Sequence, residues 1–560
     1  MKKALLVLFI AVIFCAIAIS QISYFQNAVY DDNYFEAAER IVFLSANEAN
    51  LGIIPKQGKS LDIRFRYSFG KDIIILSGMT AAQDYYNVKD VLEIPFWDFN
   101  FPSFSYWLEY KESNETVWKS TAKRTVKTPL RPLTDKFEFI FLSDNHLSDD
   151  DNHEKGAWRI EDPVLQDLRL SSDYVPFFFS ELIKNPFYTP RGELSYLMNG
   201  FCLASTLYQI QQKENPDLIF DLGDTGIGFP HKWPGLGLKD QFAATPEDIE
   251  AYEKIFRLGQ RKIFSALSPN IPIYWVRGNH DQESGFNHTR EAATRYRIKY
   301  YKHPGLNYGG SIEENYYYVF WGNAGTEFVP IDQKAVKKGS VLFVVLDVMR
   351  YNSDLPKKPE DWTLGIEQKK WLEKVLEFDA DWKFVLAHHV LGGWPSGSDE
   401  TDTSYAYGRG PLFTKDDYKD FSQNPDAIEQ VGLTKLMLEK GVDAFIYGHD
   451  HIFHSKIIGI NSKGRKMRSI CVGSPKYVGE RDWYKGAYWR KYYGDYGRYG
   501  DYGVDWASTK ADFYGPSGYT KITITKNGAE VSYICSAYPH RFTNIPDSVR
   551  VGDCVQKFIF

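Results

Sequence analysis

Hydrophobic and polar positions follow two different rhythms along this chain. From residue 21 to about 134 the apolar residues come in short runs broken by polar ones: RIVFLSA, SLDIRFRYSF, DIIILSG, SYWLEYK and ETVWKST. Clusters of Gly, Asn, Lys and Pro separate them, as between antiparallel strands. The spacing predicts a small all-β, sandwich-like domain over residues 21–134. Its linker is expected at Thr125–Thr134, where TVKTPLRPLT carries two prolines. From Lys136 the runs become continuously apolar: KFEFIFLSD, DLIFDLGD, IPIYWVRGN, VLFVVLD, KFVLAHH and AFIYGHD. Such runs suit strands buried on both faces of a sheet. Helical patterns lie between them, namely PEDIEAYEKIFRLGQRKIFSAL, with Thr245 as N-cap and Pro246 in the first turn, and GIEQKKWLEKVLEF. Alternating strand and helix predict a layered α/β domain over residues 135–540. A closing hairpin is expected in YTKITITKNGAEVSYICSAY, turning at Asn527-Gly528, with residues 541–560 as a tail.

Five of the apolar runs end in residues able to do chemistry. These are Asp144-Asn145-His146, Gly223-Asp224, Gly278-Asn279-His280-Asp281, His388-His389 and Gly448-His449-Asp450-His451. Open α/β sheets bind ligands beyond the carboxyl ends of their strands, so the five motifs are expected in one crevice. Residues two apart on an extended segment point the same way, which lets Asp144 and His146 grip one cation. The Asp224 carboxylate can bridge two cations, and Asn279 offers a neutral carbonyl oxygen. No cysteine accompanies them, so the donors are nitrogen and oxygen, suited to Mn, Fe or Zn. Each motif alone is weak, whereas five in order, each closing a buried strand, are specific as a set. His388 and His389 compete for one ligand position, which the order in the motif assigns to His388. His153, His231, His288, His303, His454 and His540 read as ordinary side chains, with His288 and His454 nearest the motifs.

In the order DxH, GD, GNHD, H and GHxH, the chain resembles the calcineurin-like metallophosphoesterase superfamily over roughly residues 136–535. The resemblance implies a layered metallophosphoesterase β-sheet core flanked by helices, with the small β domain in front. It assigns Asp144, His146, Asp224 and His451 to a first ion, and Asp224, Asn279, His388 and His449 to a second. It also implies a metal-dependent phosphoesterase, in which a metal-bridging hydroxide attacks phosphorus. His280 would protonate the leaving group as a general acid, and Asp281 would orient His280. Two departures narrow the family. Purple acid phosphatases have a tyrosine three residues past the GD aspartate and a glycine where His146 stands. Here Ile227 and His146 occupy those places, so an iron(III) tyrosinate is not expected. Phosphoprotein phosphatases place Asp and Arg after GD, where this chain has Thr225-Gly226-Ile227-Gly228.

The ligand set serves phosphomonoesters and phosphodiesters alike. Specificity is expected in two insertions, near residues 147–215 and 476–518; the second crowds Tyr, Gly and Arg and reads as a long surface loop packed by its own rings. A different class of function is a cell-surface glycan- or lipid-binding protein with a structural metal centre. His280 argues against it, because a structural site has no use for a general acid.

Charge and the N-terminus bound the partners. A net charge of −6 gives no basic footprint, so no nucleic-acid partner is expected. Met-Lys-Lys followed by the 17 residues ALLVLFIAVIFCAIAIS has the form of a secretory signal, with Ala18 and Ser20 at the positions read for cleavage. Removing residues 1–20, and Lys2 and Lys3 with them, takes −6 to −8. The same stretch is just long enough for an uncleaved anchor and membrane or cell-surface association. Either way the chain is expected to be exported, to a periplasm, the extracellular space or the cell surface. Phe14 is too large to precede a lipidated Cys15. Four further cysteines, Cys202, Cys471, Cys535 and Cys554, allow three disulfide connectivities. A Cys535–Cys554 bridge would pin the tail to the last strand, and Cys471 equally reads as a buried thiol. Asn114-Glu115-Thr116 and Asn287-His288-Thr289 fit the N-glycosylation pattern.

Overall fold

The computed structural model describes residues 30–69 (except 45–48 and 57), 72–75, 79–81, 91–92, 102–129, 136–146, 203–225 (except 204–205), 257–281 (except 258–259, 262 and 266), 294–298 (except 296), 315–322, 340–351 (except 349), 362–389, 429–449, 453–475, 512–536 (except 515–516) and 552–560. Among these residues the N-terminal part is built from strands: β1 (Phe35–Leu44), β2 (Ala49–Pro55), β3 (Leu61–Phe69), β4 (Asp72–Ile75), β5 (Met79–Ala81), β6 (Val91–Leu92), β7 (Ser103–Glu112), β8 (Lys119–Ser120) and β9 (Arg124–Lys127). They form one sheet in the order β1-β2-β6 and another in the order β4-β3-β7-β8, with β5 added to β3 and β9 to β7. Strand β7 shows why: Phe104, Tyr106, Leu108 and Tyr110 are buried, and Ser105, Trp107 and Glu109 between them are half-buried. The linker expected from Thr125 overlaps strand β9 in its first three residues. Arg124–Lys127 pairs with β7 because Val126 is buried and Arg124 meets Glu39 at 2.8 Å.

The second part follows with β10 (Phe137–Leu142), β11 (Leu218–Asp221), β12 (Ile273–Trp275), β13 (Tyr317–Gly322), β14 (Ser340–Val345), β15 (Arg350–Tyr351), β16 (Trp362–Thr363) and helix α1 (Gly365–Val375). After these come β17 (Trp382–Leu386), helix α2 (Glu429–Glu439), β18 (Ala444–Tyr447), β19 (Phe453–Ile460), β20 (Lys466–Val472), β21 (Asp512–Tyr514), β22 (Gly518–Thr525), β23 (Gly528–Cys535) and β24 (Cys554–Ile559). All six expected apolar runs are strands. They divide between two mixed sheets, β12-β11-β10-β22-β23-β24 and β13-β14-β17-β18-β20-β19-β21. The motif-bearing neighbours are parallel within each sheet, β10 with β11 and β12, and β17 with β18.

Stacking two sheets explains the continuous apolar runs. Phe137, Phe139 and Phe141 of β10 belong to the core cluster shared with the second sheet, while Ile140 and Leu142 are buried on the opposite face. Phe343 of β14 is the centre of the seam, with ring centroids 4.8 Å from Phe139 and 5.0 Å from Phe220. At the other end, Phe453 stacks on Tyr533 at 4.6 Å. The same cluster runs on into the N-terminal sheets. Strand β1 grips the edge of the first sheet there: Ile41 N donates to Ser268 O at 3.1 Å and Arg40 Nη2 to Ile273 O at 3.2 Å.

Several local expectations shift. The final hairpin turns at Lys526-Asn527, one residue early, because Thr525 pairs with Gly528. The expected tail ends in β24, an added strand on β23. Cys535 is buried and Cys554 is exposed, and no disulfide joins these two or Cys471; Cys202 lies outside the described residues. Helix α1 realises GIEQKKWLEKVLEF, whereas the N-cap expected at Thr245 lies outside the described residues. So do most of both insertions and the N-terminal signal or anchor. No helix among the described residues is long and apolar enough to cross a membrane. The seam makes a stability prediction: Phe343→Ala should cost about 3–5 kcal/mol, read as a lowered denaturation midpoint at unchanged m-value.

Candidate metal centre

Three motifs reach the site from the first sheet and two from the second, so the crevice lies where the carboxyl ends of two sheets meet. Backbone geometry marks the spot. Among the described residues only Asp144, His146, Asp224 and His449 combine a side chain with a positive φ, at 55°, 43°, 51° and 69°. Such conformations cost energy and persist where the surroundings over-determine them. Here interlocking loops do so. Asp144 N donates to Gly223 O at 2.9 Å and His146 N to Asp224 O at 3.0 Å. Two glycines permit the close approach: a Cβ on Gly278 would collide with Asp224, and one on Gly448 with Ser143 and Asp144.

Each buried aspartate spends one carboxylate oxygen on the opposite motif's backbone. Asp144 Oδ2 accepts His449 N at 2.7 Å, and Asp224 Oδ1 accepts His280 N at 2.7 Å. The other oxygens face a common centre. Asp224 Oδ2, buried and accepting no hydrogen bond, lies 3.1 Å from His388 Nε2 and 3.8 Å from His146 Nε2. Asp144 Oδ1 is 3.8 Å from His146 Nε2 and 4.0 Å from His388 Nε2. Of the pair, His388 turns its Nε2 to these carboxylates, while His388, His389 and His449 form a second group able to hold an ion. The His388 Nδ1 donates to Leu222 O at 2.8 Å, which orients the ring and turns Nε2 toward the cluster. That nitrogen stands 3.0 Å from Asn279 Oδ1 and 3.2 Å from His449 Nδ1.

Lone-pair atoms this close need positive charge between them, either a proton on His388 or a cation. Burial pushes the His388 imidazole toward neutrality, yet Asp224 and Asp144 lift it to about 10. A divalent cation competes for that same field. Burial likewise opposes the charge of Asp224, but the His388 and His280 rings hold its carboxyl well below the usual range. Asp144, Asp224, His388 and His449 can bring one ligand atom each within 4.8 Å of one another. The residues present therefore fit a metal centre. His146 approaches the same carboxylates and lies with its ring centroid 5.3 Å from that of His280. His451 and Asp450 lie outside the described residues, as does His288.

His389 points into the same cluster edge-on to His449, with ring centroids 4.3 Å apart, and burial drives its pKa well below the ordinary value. Asp281 takes part in the loop scaffold: its carboxylate accepts Gly278 N at 2.7 Å, Asp224 N at 2.9 Å and Thr225 N at 3.2 Å. Three supporting residues were missed in sequence. Asp221 and Arg277 each put a charge inside an apolar run, in LIFDLG and YWVRGN, and that interruption was the available signal. Arg277 forms a fully buried two-pronged pair with Asp347 at the end of β14, tying the two sheets together beside Asn279. Ser474 Oγ donates to Asp144 O at 2.7 Å and carried no such signal.

A family model described as calcineurin-like phosphoesterase matches residues 137–453, more than half of the chain. Among solved structures, the chain is similar to purple acid phosphatase PPD1 from yellow lupin (Lupinus luteus) seeds, at TM-score 0.50 and 13% identity, covering 93% of this chain and 74% of that one. It is also similar to PhoD, at TM-score 0.51 and 14% identity, covering 90% and 88%. At such identities the likeness is one of fold. No curated protein matches the chain.

The buried Asp221 gives a pH prediction. Burial, reinforced by the nearby Asp281 charge, raises its carboxyl from 3.8 to about 8. Its contribution to stability is therefore intact below about 4 and lost as pH rises through about 8. In chelator, the melting temperature of Asp221→Asn relative to wild type should climb between those limits. A difference that stays constant with pH would contradict this.

Proposed function

Because the chain belongs to the calcineurin-like phosphoesterase family, and is thus a metal-dependent phosphoester hydrolase, we propose that it is an exported enzyme with two divalent cations at this centre. One observation carries the proposal: Asp224 Oδ2, Asn279 Oδ1 and His449 Nδ1 all turn toward His388 Nε2, on a ring whose other nitrogen is held by Leu222 O. Asp144, His146, Asp224 and His451 would hold one ion, and Asp224, Asn279, His388 and His449 the other. Mn, Fe or Zn each suits these donors. Bound there, the cations supply a water acidic enough to attack at neutral pH and positive charge for the phosphoryl oxygens.

The chain's own residues supply the rest. Asp224 stays ionised at neutral pH, so its free oxygen remains available at the centre of the cluster. His280, half-buried at the rim with its backbone held by Asp224, would hand a proton to the leaving oxygen. Asp281 keeps the GD and GNHD loops at fixed separation through its three backbone amides, and so would orient His280 through the loop. The basic start and apolar stretch over residues 1–20 support export.

The test is hydrolysis of chromogenic phosphomonoesters and diesters by the purified chain with added Mn²⁺. Asp224→Ala should lose both Mn²⁺ binding and turnover. His280→Ala should keep Mn²⁺ and lose about 10²–10⁴-fold in kcat. The loss should be smaller with a nitrophenyl ester, whose leaving group needs little protonation, than with an alkyl ester. Wild-type rates in both variants would defeat the proposal.

A further inference from the structure

A buried polar network lies under the ligand loops, and it extends to the N-terminal sheets. Its hub is Asp221, fully buried in β11. Asp221 Oδ2 accepts Thr225 Oγ1 at 3.1 Å, Asn145 Nδ2 at 3.2 Å and Gln260 Nε2 at 3.4 Å, while Oδ1 accepts Gly223 N at 3.3 Å. Asn145 sits between Asp144 and His146, and Thr225 follows Asp224, so one carboxylate supports both ligand-bearing loops. The Thr225 hydroxyl donates to Asp221 and accepts from Gln260 Nε2 at 3.2 Å and Trp275 Nε1 at 3.2 Å, which uses its full hydrogen-bonding capacity. Gln260 cannot flip its amide freely, because its Oε1 accepts Arg257 Nη1 at 3.2 Å.

The next residue turns the other way. Arg261 Nη2 donates to Ala38 O and to Gly52 O, both at 3.0 Å, and these are main-chain carbonyls of β1 and β2. One helical turn on, Ser265 Oγ bonds back to Arg261 O at 2.8 Å, and Ser268 O receives Ile41 N from β1 at 3.1 Å. The helical stretch that carries Gln260 is thus fastened to the N-terminal sheets at two points.

We infer that Gln260 and Arg261 are positioning residues that brace the metal-ligand loops against the N-terminal β unit. The inference rests on the proposed metal centre. Its physical basis is the left-handed backbone of Asp144, His146 and Asp224, which relaxes unless neighbouring contacts hold it. Asp281 holds the GD loop from the side of Gly278, and Gln260 holds it from beneath through Thr225 and Asp221. Arg261 in turn prevents the helix from withdrawing. The N-terminal unit on this account is part of the metal site's framework as well as a neighbouring domain.

The test is calorimetric titration of Mn²⁺ into the chelator-stripped full chain. Gln260→Leu and Arg261→Leu should each weaken Mn²⁺ binding roughly tenfold, the scale of one buried hydrogen bond. Arg261→Lys keeps a cation able to donate to both carbonyls and should restore binding to within about threefold of wild type. Arg66→Ala breaks an ion pair with Glu109 within the N-terminal sheets and should leave Mn²⁺ affinity unchanged. Should Arg261→Leu fail to fold, Gln260→Leu decides alone, since it leaves every N-terminal contact in place. Wild-type Mn²⁺ affinity in a folded Gln260→Leu overturns the brace. A wild-type chain that binds no Mn²⁺ overturns instead the reading of the centre on which the brace rests.

Discussion

Everything near the centre is arranged around the mutual repulsion of buried lone pairs. Two ionisable aspartates, an amide oxygen and imidazole nitrogens are pressed together in a place that excludes water, where unbalanced charge is expensive. Each aspartate accepts one backbone N–H from the facing motif and keeps its second oxygen turned inward. His388 donates its Nδ1–H to Leu222 O and likewise keeps its second nitrogen inward. Such inward-facing donor atoms suit divalent cations, whose charge would balance them.

Holding such a cluster together requires a rigid frame, and the two-sheet sandwich provides it. The aromatic seam around Phe343 sets the separation between sheets, and polar ties at the site trim it. His388 Nδ1 reaches Leu222 O, His449 N reaches Asp144, and Arg277 pairs with Asp347, each link crossing from one sheet to the other. A buried ion pair adds little to net stability, but losing one partner strands a charge. The Arg277–Asp347 pair is better understood as fixing geometry, beside Asn279, than as stabilising the fold.

Strain is concentrated in the loops and support is spread around them. Four left-handed side-chain-bearing residues at one site are far more than turn statistics require, and all four lie in the ligand motifs. Their neighbours supply compensating hydrogen bonds from Asp281, Ser474 and the Asp221 network. The N-terminal sheets, through Arg261 and the grip of β1 on the first sheet's edge, close this frame from outside.

Much of this was legible in the chain itself. Alternation in SYWLEYK and unbroken apolar runs such as KFEFIFL predict strand type and burial because side-chain period and solvent exposure are local properties. The motifs at strand ends single out Asp144, His146, Asp224, Asn279, His388 and His449 as candidate donors, because ligand chemistry resides in residue type and spacing. Three matters needed the tertiary structure. Periodicity cannot say which strands share a sheet, so the division of the motifs between two sheets appeared only when long-range pairing was seen. A prolyl segment looks like a linker until Val126 finds a core to enter. The roles of Asp221, Gln260, Arg261 and Arg277 depend on partners far away in sequence, from about 35 to more than 200 residues off, and no local pattern encodes them. What the sequence alone determined was the kind of atoms offered to a metal; the packing of two sheets and an N-terminal brace decided where those atoms point, because orientation is set by contacts between segments that are not neighbours in the chain.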